Sequence, residues 1–158
     1  MTPVPEHVLA LREKIGHDLL WLPAVTAVVR HPVRDEVLLV QRADNAAWTP
    51  ITGILDPHEE PAVAAAREAL EETGTVIRVD RLAATSAHGE ILHANGDRAA
   101  YLDLTFACTW LSGEPYVADD ESVDVGWWSL GALPWMSPVM TARIQAATSD
   151  EREARFIT

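Results

Sequence analysis

The sequence predicts an α/β (α+β) fold, a three-layer α/β/α sandwich around a mixed β-sheet. Several β-branched or aliphatic runs read as strands. Three other segments show the apolar spacing or the boundary residues of helices. Strands flanked by helices in a chain of 158 residues predict one layered domain, residues 1–158, built around one hydrophobic core.

The first half of the chain predicts a helix followed by two paired strands. The helix covers about residues 5–16, with Val8, Leu11 and Ile15 at helical spacing and Gly16 at its end. Residues 24–31 and 36–42 are short apolar runs, and the turn residues 32–35 between them predict a pair of strands. Residues 45–53 are predicted to be irregular.

The second half predicts further strands and a final helix. Residues 75–92 read as one or two strands, and residues 124–130 as a short one that places Trp127 and Trp128 on opposite faces of the sheet. The final helix covers about 138–154, with Ser137 as its cap, and the strand core spans about 24–130. Residues 101–110 alternate, so that one face of a strand carries Leu102, Leu104, Phe106, Cys108 and Trp110.

Composition excludes several classes of protein. The formal net charge is −12, which argues against a binder of polymeric nucleic acid, since such a protein needs a basic surface. The longest apolar run, residues 19–29, is too short to cross a membrane. Cys108 is the only cysteine, so no intrachain disulfide forms, and no secretory signal pattern is visible. These features favour the cytoplasm.

A third helix, from Pro61 to Thr73, concentrates acidic residues. On a helical wheel, Glu68, Glu71 and Glu72 fall on one side, and we expect the opposite side to face the sheet. Like charges at this spacing destabilise a helix, and a bound divalent cation would offset the repulsion. A solvated charged face with an Arg67–Glu71 ion pair is the alternative interpretation. The side expected to pack on the sheet carries Ala62, Val63, Ala66, Ala69 and Leu70.

The stretch from Gly53 to Gly74 resembles the signature of the Nudix hydrolases. The invariant places of that signature are occupied at the correct spacing by Gly53, Glu59, Arg67, Glu68, Glu71, Glu72 and Gly74. Ala69, Thr75 and Thr52 depart from the usual pattern, at positions that concern packing and loop shape. The usual fold of the family is the α/β/α sandwich predicted above.

The resemblance implies a metal-dependent active site. Glu68, Glu71 and Glu72, with the carbonyl oxygen of Gly53, would hold Mg²⁺ or Mn²⁺. Arg67 would orient a glutamate, and Glu59 would position the loop or a water molecule. The reaction would be attack of water on a phosphorus of a diphosphate, with Glu68, Glu72 or a loop carboxylate as the base.

Four residues outside the signature are further candidates. Glu121, ahead of Asp120, would supply a late-loop acid to the metal, unless this segment is only a solvated acidic turn. Arg42 would bind a substrate phosphate or be a surface residue at a strand end. Trp48 would stack on a base or anchor the core. His88 would line the substrate pocket.

The function expected from this resemblance is hydrolysis of a nucleoside diphosphate derivative. No proline or tyrosine stands at the subfamily marker window around residues 90–93, which leaves a normal or oxidised nucleoside triphosphate as the leading substrate. An ADP-ribose or nucleotide-sugar pyrophosphatase, a non-catalytic nucleotide sensor and an isomerase with a reactive cysteine are the alternatives. The expected partners are a small nucleotide and, as a candidate homodimer, a second copy of the chain.

Overall fold

A computed structural model describes residues 4–158 and shows a mixed β-sheet packed between helices, as the sequence predicts. The first three residues of the predicted domain lie outside this range. The elements, in chain order, are α1 (Glu6–Ile15), β1 (Leu20–Arg30), β2 (Glu36–Arg42), β3 (Trp48–Thr49), β4 (Ile51–Ile54), α2 (Pro61–Thr73), β5 (Val76–Leu92), β6 (Arg98–Ser112), β7 (Ser122–Ser129) and α3 (Pro138–Thr148).

Strand β1 organises the sheet. It runs parallel to β6 along its whole length, and β6 pairs antiparallel with β5. On its other side β1 pairs antiparallel with β4 over residues 24–27 but with β2 only at Arg30↔Val37. Strands β2 and β4 therefore lie on the same side of β1 and follow different parts of it. Strand β7 extends the sheet beyond β2.

Each face of the sheet has its own core. One cluster, with Val25, Val29 and Phe106, lies between the sheet and α2. The other, with Val28, Leu39 and Ile144, lies between the sheet and α3. Trp127 packs on the first and Trp128 on the second, which confirms that they take opposite faces. A smaller cluster under α1 contains Val8, Leu22 and Ala99.

Two predictions of secondary structure differ from the structure, at the end of the final helix and in residues 45–53. The final helix ends at Thr148 rather than near residue 154, and the chain then pairs along β5 through Ala84↔Arg155. The backbone of Arg155 donates to Ala83 and accepts from Thr85, so edge pairing replaces the last helical turns. Residues 76–92 form a single strand, one of the two alternatives that the sequence left open. Residues 45–53, predicted to be irregular, contain β3 and most of β4.

The end of α2 anchors the loop that leads to β7. Gly74 terminates the helix in a left-handed conformation at φ 66°. Backbone N–H groups of Tyr116 and Ala118 donate to the carbonyl oxygens of Thr73 and Glu72. The loop begins at Gly113, whose φ is 92° and where a Cβ atom would lie 2.5 Å from the carbonyl oxygen of Gly74. Glycine is therefore required for the loop to approach α2.

We expect Gly113→Ala to lower the free energy of unfolding by about 2 kcal/mol or more, because it combines an unfavourable φ with a backbone clash. In a domain of this size, each 1 kcal/mol lowers the melting temperature by about 2–4 °C. Gly89→Ala is the matched control, since a Cβ atom there meets nothing within 4 Å. Equal melting temperatures for the two variants, measured by circular dichroism, would contradict this explanation.

Candidate active site

Arg67 connects the carboxylates at the start and middle of α2. Its Nε and Nη2 atoms donate to the two oxygens of Glu59 at 2.8 and 2.9 Å, a bidentate ion pair. Its Nη1 atom donates to Glu68 at 2.8 Å and to Glu71 at 3.0 Å. Nη2 also donates to the carbonyl oxygen of Ile54 on β4. One guanidinium thus fixes the loop before the helix, the helix itself and the end of a strand.

Glu59 also organises the loop before α2. Besides binding Arg67, its Oε2 atom accepts from the backbone N–H of Asp56 at 3.0 Å. The Arg67 hydrogen bond holds the pKa of Glu59 below its usual range, although burial opposes this. Glu59 is therefore ionised at neutral pH, and the structure places it as a support for Arg67 and the loop.

Glu68 and Glu72 face the sheet, contrary to the sequence prediction, whereas Glu71 is half-exposed. Glu68 and Glu72 are 6% and 4% exposed, whereas Val63 and Leu70 are 58% and 54% exposed. The sequence interpretation left out Ala64 and Ala65, which are fully buried beside the two glutamates. With Ala69, these small side chains bring the helix close to the sheet, and the carboxylates are buried with them.

Burial changes the protonation of both buried glutamates. It raises the pKa of Glu68 to about 7, although Arg67 opposes the rise. It raises the pKa of Glu72 well above its usual value, and the negative charges of Glu68, Glu121 and Asp119 raise it further, while Arg42 opposes. Several carboxylates therefore surround Glu72 with little compensating positive charge.

Gly53 lies directly against Glu68. Strand β4 pairs with β1 at Val25↔Gly53, next to α2. A Cβ atom at position 53 would lie 2.0 Å from both Cδ and Oε1 of Glu68. Any side chain at this position would displace the carboxylate. Glycine is therefore needed here to seat Glu68, whatever further role its carbonyl oxygen has.

The loop after Gly113 brings Glu121 near Glu68 and Glu72, and we call these three carboxylates the acidic group. The backbone N–H of Glu121 donates to Oδ1 of Asp119, and that of Ala43 donates to the carbonyl oxygen of Glu121. The charge of Glu121 acts on both Glu68 and Glu72. The charge of Glu121 therefore reaches both buried glutamates, and its role as the late-loop acid, ahead of Asp120, stays a prediction.

Arg42 lies at the end of β2, near the same acids. Its guanidinium makes a bidentate ion pair with Asp44 at 2.9 and 2.8 Å, and its side chain is 40% exposed. The Asp44 hydrogen bond raises the pKa of Arg42, burial opposes that rise, and Glu121 and Glu72 add to it. The structure therefore joins Arg42 electrostatically to the acidic group while leaving part of it open to solvent.

Trp48 and His88 are not in this group. Trp48 is half-buried and contacts Trp128 edge to face, with ring centroids 5.1 Å apart, on the α3 side of the sheet. This placement fits the core role that the sequence left open, and stacking on a base stays a prediction. His88 lies on β5, where Arg143 of α3 donates a hydrogen bond to its Nε2 atom.

Sequence reasoning missed a buried polar network on the α3 face, formed by Thr26, Asp103, Thr105 and Arg143. Asp103 and Arg143 are 1% and 7% exposed. The available signals were a charged residue inside a strand of alternating pattern, and an arginine inside an otherwise apolar helix. Neither signal reveals the partner, since 40 residues separate the two.

Cys108 is unsuited to nucleophilic chemistry. It is 2% exposed within the cluster beneath α2, and burial raises the pKa of its thiol to about 12. The reactive form of cysteine is the thiolate, which is absent at neutral pH for such a group. The structure therefore gives no support to the isomerase alternative.

The acidic group has the donor chemistry for a hard divalent cation. Among residues 4–158, no three Asp, Glu, His or Cys side chains stand ready in an arrangement that holds a metal ion. Glu71, for example, is ion-paired with Arg67 and half-exposed. The buried oxygens of Glu68 and Glu72, whose charges repel, nonetheless match the all-oxygen preference of Mg²⁺ and Mn²⁺.

Fold and site together define an α/β/α sandwich with an acidic, oxygen-donor group between one helix and a glycine on the adjoining strand. The NUDIX domain family model matches residues 21–148, and the chain belongs to this family. Within the described residues, no helix has the length and apolar character needed to cross a membrane.

Relatives agree with this assignment. A CMP-5'-(N-acetyl-N-hydroxy-3-aminopropyl)phosphonate hydrolase of Streptomyces rubellomurinus is 36% identical over 66 residues, 39% of this chain and about a third (32%) of the relative's length. A MutT NUDIX hydrolase from Burkholderia pseudomallei has the same fold, with a TM-score of 0.63 and 24% identity over 82% of this chain and 99% of that one. An ADP-ribose pyrophosphatase from Streptococcus suis has a TM-score of 0.61 and 22% sequence identity. The match covers 86% of this chain and 98% of that one.

We expect Glu72→Gln to stabilise the metal-free protein at pH 8, by about 2 kcal/mol, because glutamine is neutral in both states, whereas native Glu72 must either hold a proton or carry a desolvated charge among like charges. Because the pKa of Glu72 is raised in the native state, native Glu72 stays protonated at pH values where the same residue of the unfolded chain is ionised. Its contribution to the free energy of unfolding therefore falls as the pH rises above 4.5. The advantage of the variant, measured by thermal unfolding, should therefore shrink toward pH 4.5. The control is Glu71→Gln, whose side chain is 48% exposed and which should change stability little. A pH-independent advantage would contradict the burial argument.

Proposed function

We propose that this chain is a pyrophosphohydrolase that cleaves the diphosphate linkage of a nucleotide derivative. The observation that carries the proposal is the joint burial of Glu68 and Glu72 against Gly53, with Arg67 fixing Glu59 and the helix. Burying two carboxylates on one helix destabilises the protein, and a cation bound between them would offset that cost. Membership of the NUDIX family supports the same reading.

The site would hold Mg²⁺ or Mn²⁺ through Glu68, Glu71, Glu72, Glu121 and the carbonyl oxygen of Gly53. When bound, such an ion neutralises phosphate charge and lowers the pKa of an attacking water. Because the carboxylates of Glu68, Glu72 and Glu121 repel one another, a divalent cation also relieves the electrostatic cost of their burial.

The other residues of the site orient its carboxylates or bind the substrate. Arg67 is a positioning residue, since its hydrogen bonds go to Glu59, Glu68, Glu71 and Ile54. Arg42 binds a substrate phosphate through the exposed part of its guanidinium, a role that arginine geometry suits. Glu68, Glu72 or Glu121 accepts the proton of the attacking water.

A nucleoside triphosphate, normal or oxidised, is the leading substrate. The second candidate is a CMP-linked phosphonate, favoured by the Streptomyces relative that shares 36% identity over 66 residues with this chain. ADP-ribose or a nucleotide sugar is the remaining hydrolytic alternative, and a nucleotide sensor is the non-catalytic one. A cytoplasmic homodimer stays a prediction that fractionation and sedimentation would test.

The test is a substrate panel with metal-free protein, to which Mg²⁺, Mn²⁺ or Ca²⁺ is added. We expect release of phosphate or pyrophosphate with Mg²⁺ or Mn²⁺, little turnover with Ca²⁺ because its geometry is looser, and chromatography to identify the nucleotide product. Glu68→Gln, Glu71→Gln and Glu72→Gln should each retain the circular dichroism spectrum and lose nearly all turnover.

Thermal shift tests whether the cation binds to the glutamates of α2. A cation bound only by the native state at a hundredfold excess over Kd stabilises it by about 2.7 kcal/mol. We expect added metal to raise the melting temperature of wild type by the corresponding amount, and to leave that of the triple Gln variant at positions 68, 71 and 72 unchanged. If the metal raises the melting temperature of the triple variant by the full amount, the ion binds at another site. Nucleotide binding without any product would favour the sensor.

Arg42→Ala should lower kcat/KM by about tenfold or more, the equivalent of one charge-assisted hydrogen bond, while the melting temperature changes little. Arg34→Ala is the control because it removes the same charge from an exposed side chain before the opposite end of β2. Equal kcat/KM values for the two variants would show that Arg42 acts only through net charge.

A further inference from the structure

The loop between β2 and β3 closes back onto Arg42. Its five residues, 43–47, join the end of one strand to the start of the next. The backbone N–H of Arg42 donates to the carbonyl oxygen of Ala47 at 2.9 Å, and that of Ala46 donates to the carbonyl oxygen of Arg42 at 3.0 Å. The loop is therefore bonded at both ends to the residue from which it starts.

Two side chains reinforce this closed shape. Asn45 accepts from the backbone N–H of Ala47 through its Oδ1 atom at 2.9 Å, and Gln41 donates from Nε2 to the carbonyl oxygen of Ala46 at 3.0 Å. Ala46 has φ 57°, in the left-handed region that residues other than glycine seldom adopt. These hydrogen bonds thus hold the chain in a conformation that it would otherwise seldom take.

The closed loop brings the carboxylate of Asp44 against Arg42. Its Oδ1 atom accepts from Nε at 2.9 Å and its Oδ2 atom from Nη2 at 2.8 Å, so the guanidinium is held side-on by two bonds. A guanidinium has five N–H groups, and this arrangement uses two of them. Nη1 and the second hydrogen of Nη2 still form a fork for another acceptor. Arg42 can therefore hold Asp44 and a phosphate at the same time.

The same loop lies beside the acidic group. The backbone N–H of Ala43 donates to the carbonyl oxygen of Glu121 at 2.7 Å, which bonds the loop to the segment before β7. The charges of Glu121 and Glu72 act on Arg42, yet the hydrogen bond from Asp44 is the largest influence on the pKa of Arg42. Asp44 and the acidic group therefore compete for one guanidinium.

Stability does not account for the ion pair between Arg42 and Asp44. Their side chains are 40% and 59% exposed, and ion pairs this exposed contribute little to the free energy of unfolding. The pair also places a negative charge beside the arginine to which the proposed function assigns a phosphate. The defined effect of the pair is on the direction of the guanidinium.

We propose that Asp44 is a positioning residue, which holds Arg42 so that its free fork stays open to a substrate phosphate. The inference rests on the proposed function, since that function assigns the phosphate to Arg42. Without Asp44, the flexible side chain of Arg42 would be drawn to Glu121 and Glu72, and a ligand would have to displace it from those carboxylates.

The charge of Asp44 and its positioning role predict opposite results. If charge alone mattered, Asp44→Ala would remove a repulsive carboxylate, and a phosphate ligand would bind more tightly. If Asp44 positions Arg42, the same change frees a long side chain whose motion must be restricted again when the ligand binds. Solvent and salt screen the repulsion between exposed charges, so we expect positioning to be the larger effect.

The experiment measures the binding of inorganic tripolyphosphate by calorimetry with Ca²⁺, and kcat/KM for the best nucleoside triphosphate with Mg²⁺. We expect Asp44→Ala to weaken binding and to lower kcat/KM, each by about fivefold. Asp44→Asn removes the same charge but keeps one acceptor for Arg42, so its loss should be smaller. Asp35→Ala is the matched control and should change neither value, since Asp35 is 74% exposed and lies 3.6 Å from Arg30, before the opposite end of β2.

A double-mutant cycle separates positioning from a change in the shape of the loop. In an Arg42→Ala background, Asp44→Ala should change binding and kcat/KM little, because the side chain that it positions is already gone. The melting temperatures of the single variants should stay near that of wild type. Equal losses in both backgrounds would show that Asp44 acts only on the loop, and would overturn the inference.

The outcomes distinguish this inference from the hydrolase proposal. Coupling between Arg42 and Asp44 in tripolyphosphate binding, by a chain that cleaves no nucleotide, would support the inference and contradict the hydrolase. Nucleotide cleavage that Asp44→Ala leaves unchanged or improves would support the hydrolase and overturn the inference. A wild-type chain that does not bind tripolyphosphate would overturn it as well.

Discussion

The burial of Glu68 and Glu72 against the sheet is the constraint from which the rest of the site follows. Two desolvated carboxylates one turn apart destabilise a helix and the protein that contains it. Small neighbours at positions 64, 65 and 69 are needed for the helix to approach closely, and glycine at position 53 is needed to seat the carboxylate of Glu68. Arg67 supplies positive charge on one side only, so Glu72 depends on other groups.

The same constraint explains why the sequence predicted the helix correctly but assigned the wrong side of it to the sheet. Alanine is compatible with either side of a helix, so a wheel drawn from the bulkier Val63 and Leu70 selects the side that the structure exposes. Hydrophobicity ranks a glutamate as a surface residue, and it was the like-charge spacing and the resemblance to a known family that indicated a role for these acids. A site that opposes the local rule is where pattern-based prediction is expected to fail.

Other features were predictable because their causes are local. Gly74 ends α2 in a left-handed conformation, Ser137 caps α3, and alternation along β7 sends Trp127 and Trp128 to opposite faces. The end of α3 was not predictable, because residues after Thr148 pair with an edge strand distant in sequence. The Asp103–Arg143 pair has the same origin, since its energy depends on the parallel pairing of β1 with β6 and on where α3 packs.

The excess of acidic residues limits how a phosphorylated ligand can bind to this protein. The chain carries 24 acidic and 12 basic residues, so a phosphorylated ligand approaches a protein of its own sign and gains nothing from long-range attraction. Under the proposed function, its binding depends on short-range positive charge, which a cation among the carboxylates and Arg42 would supply. Arg67 and Arg143 are already held by glutamates, a backbone carbonyl, Asp103 and His88. Since those two arginines are engaged in positioning, the part-exposed guanidinium of Arg42 is the side chain near the buried glutamates to which the proposed function assigns a phosphate.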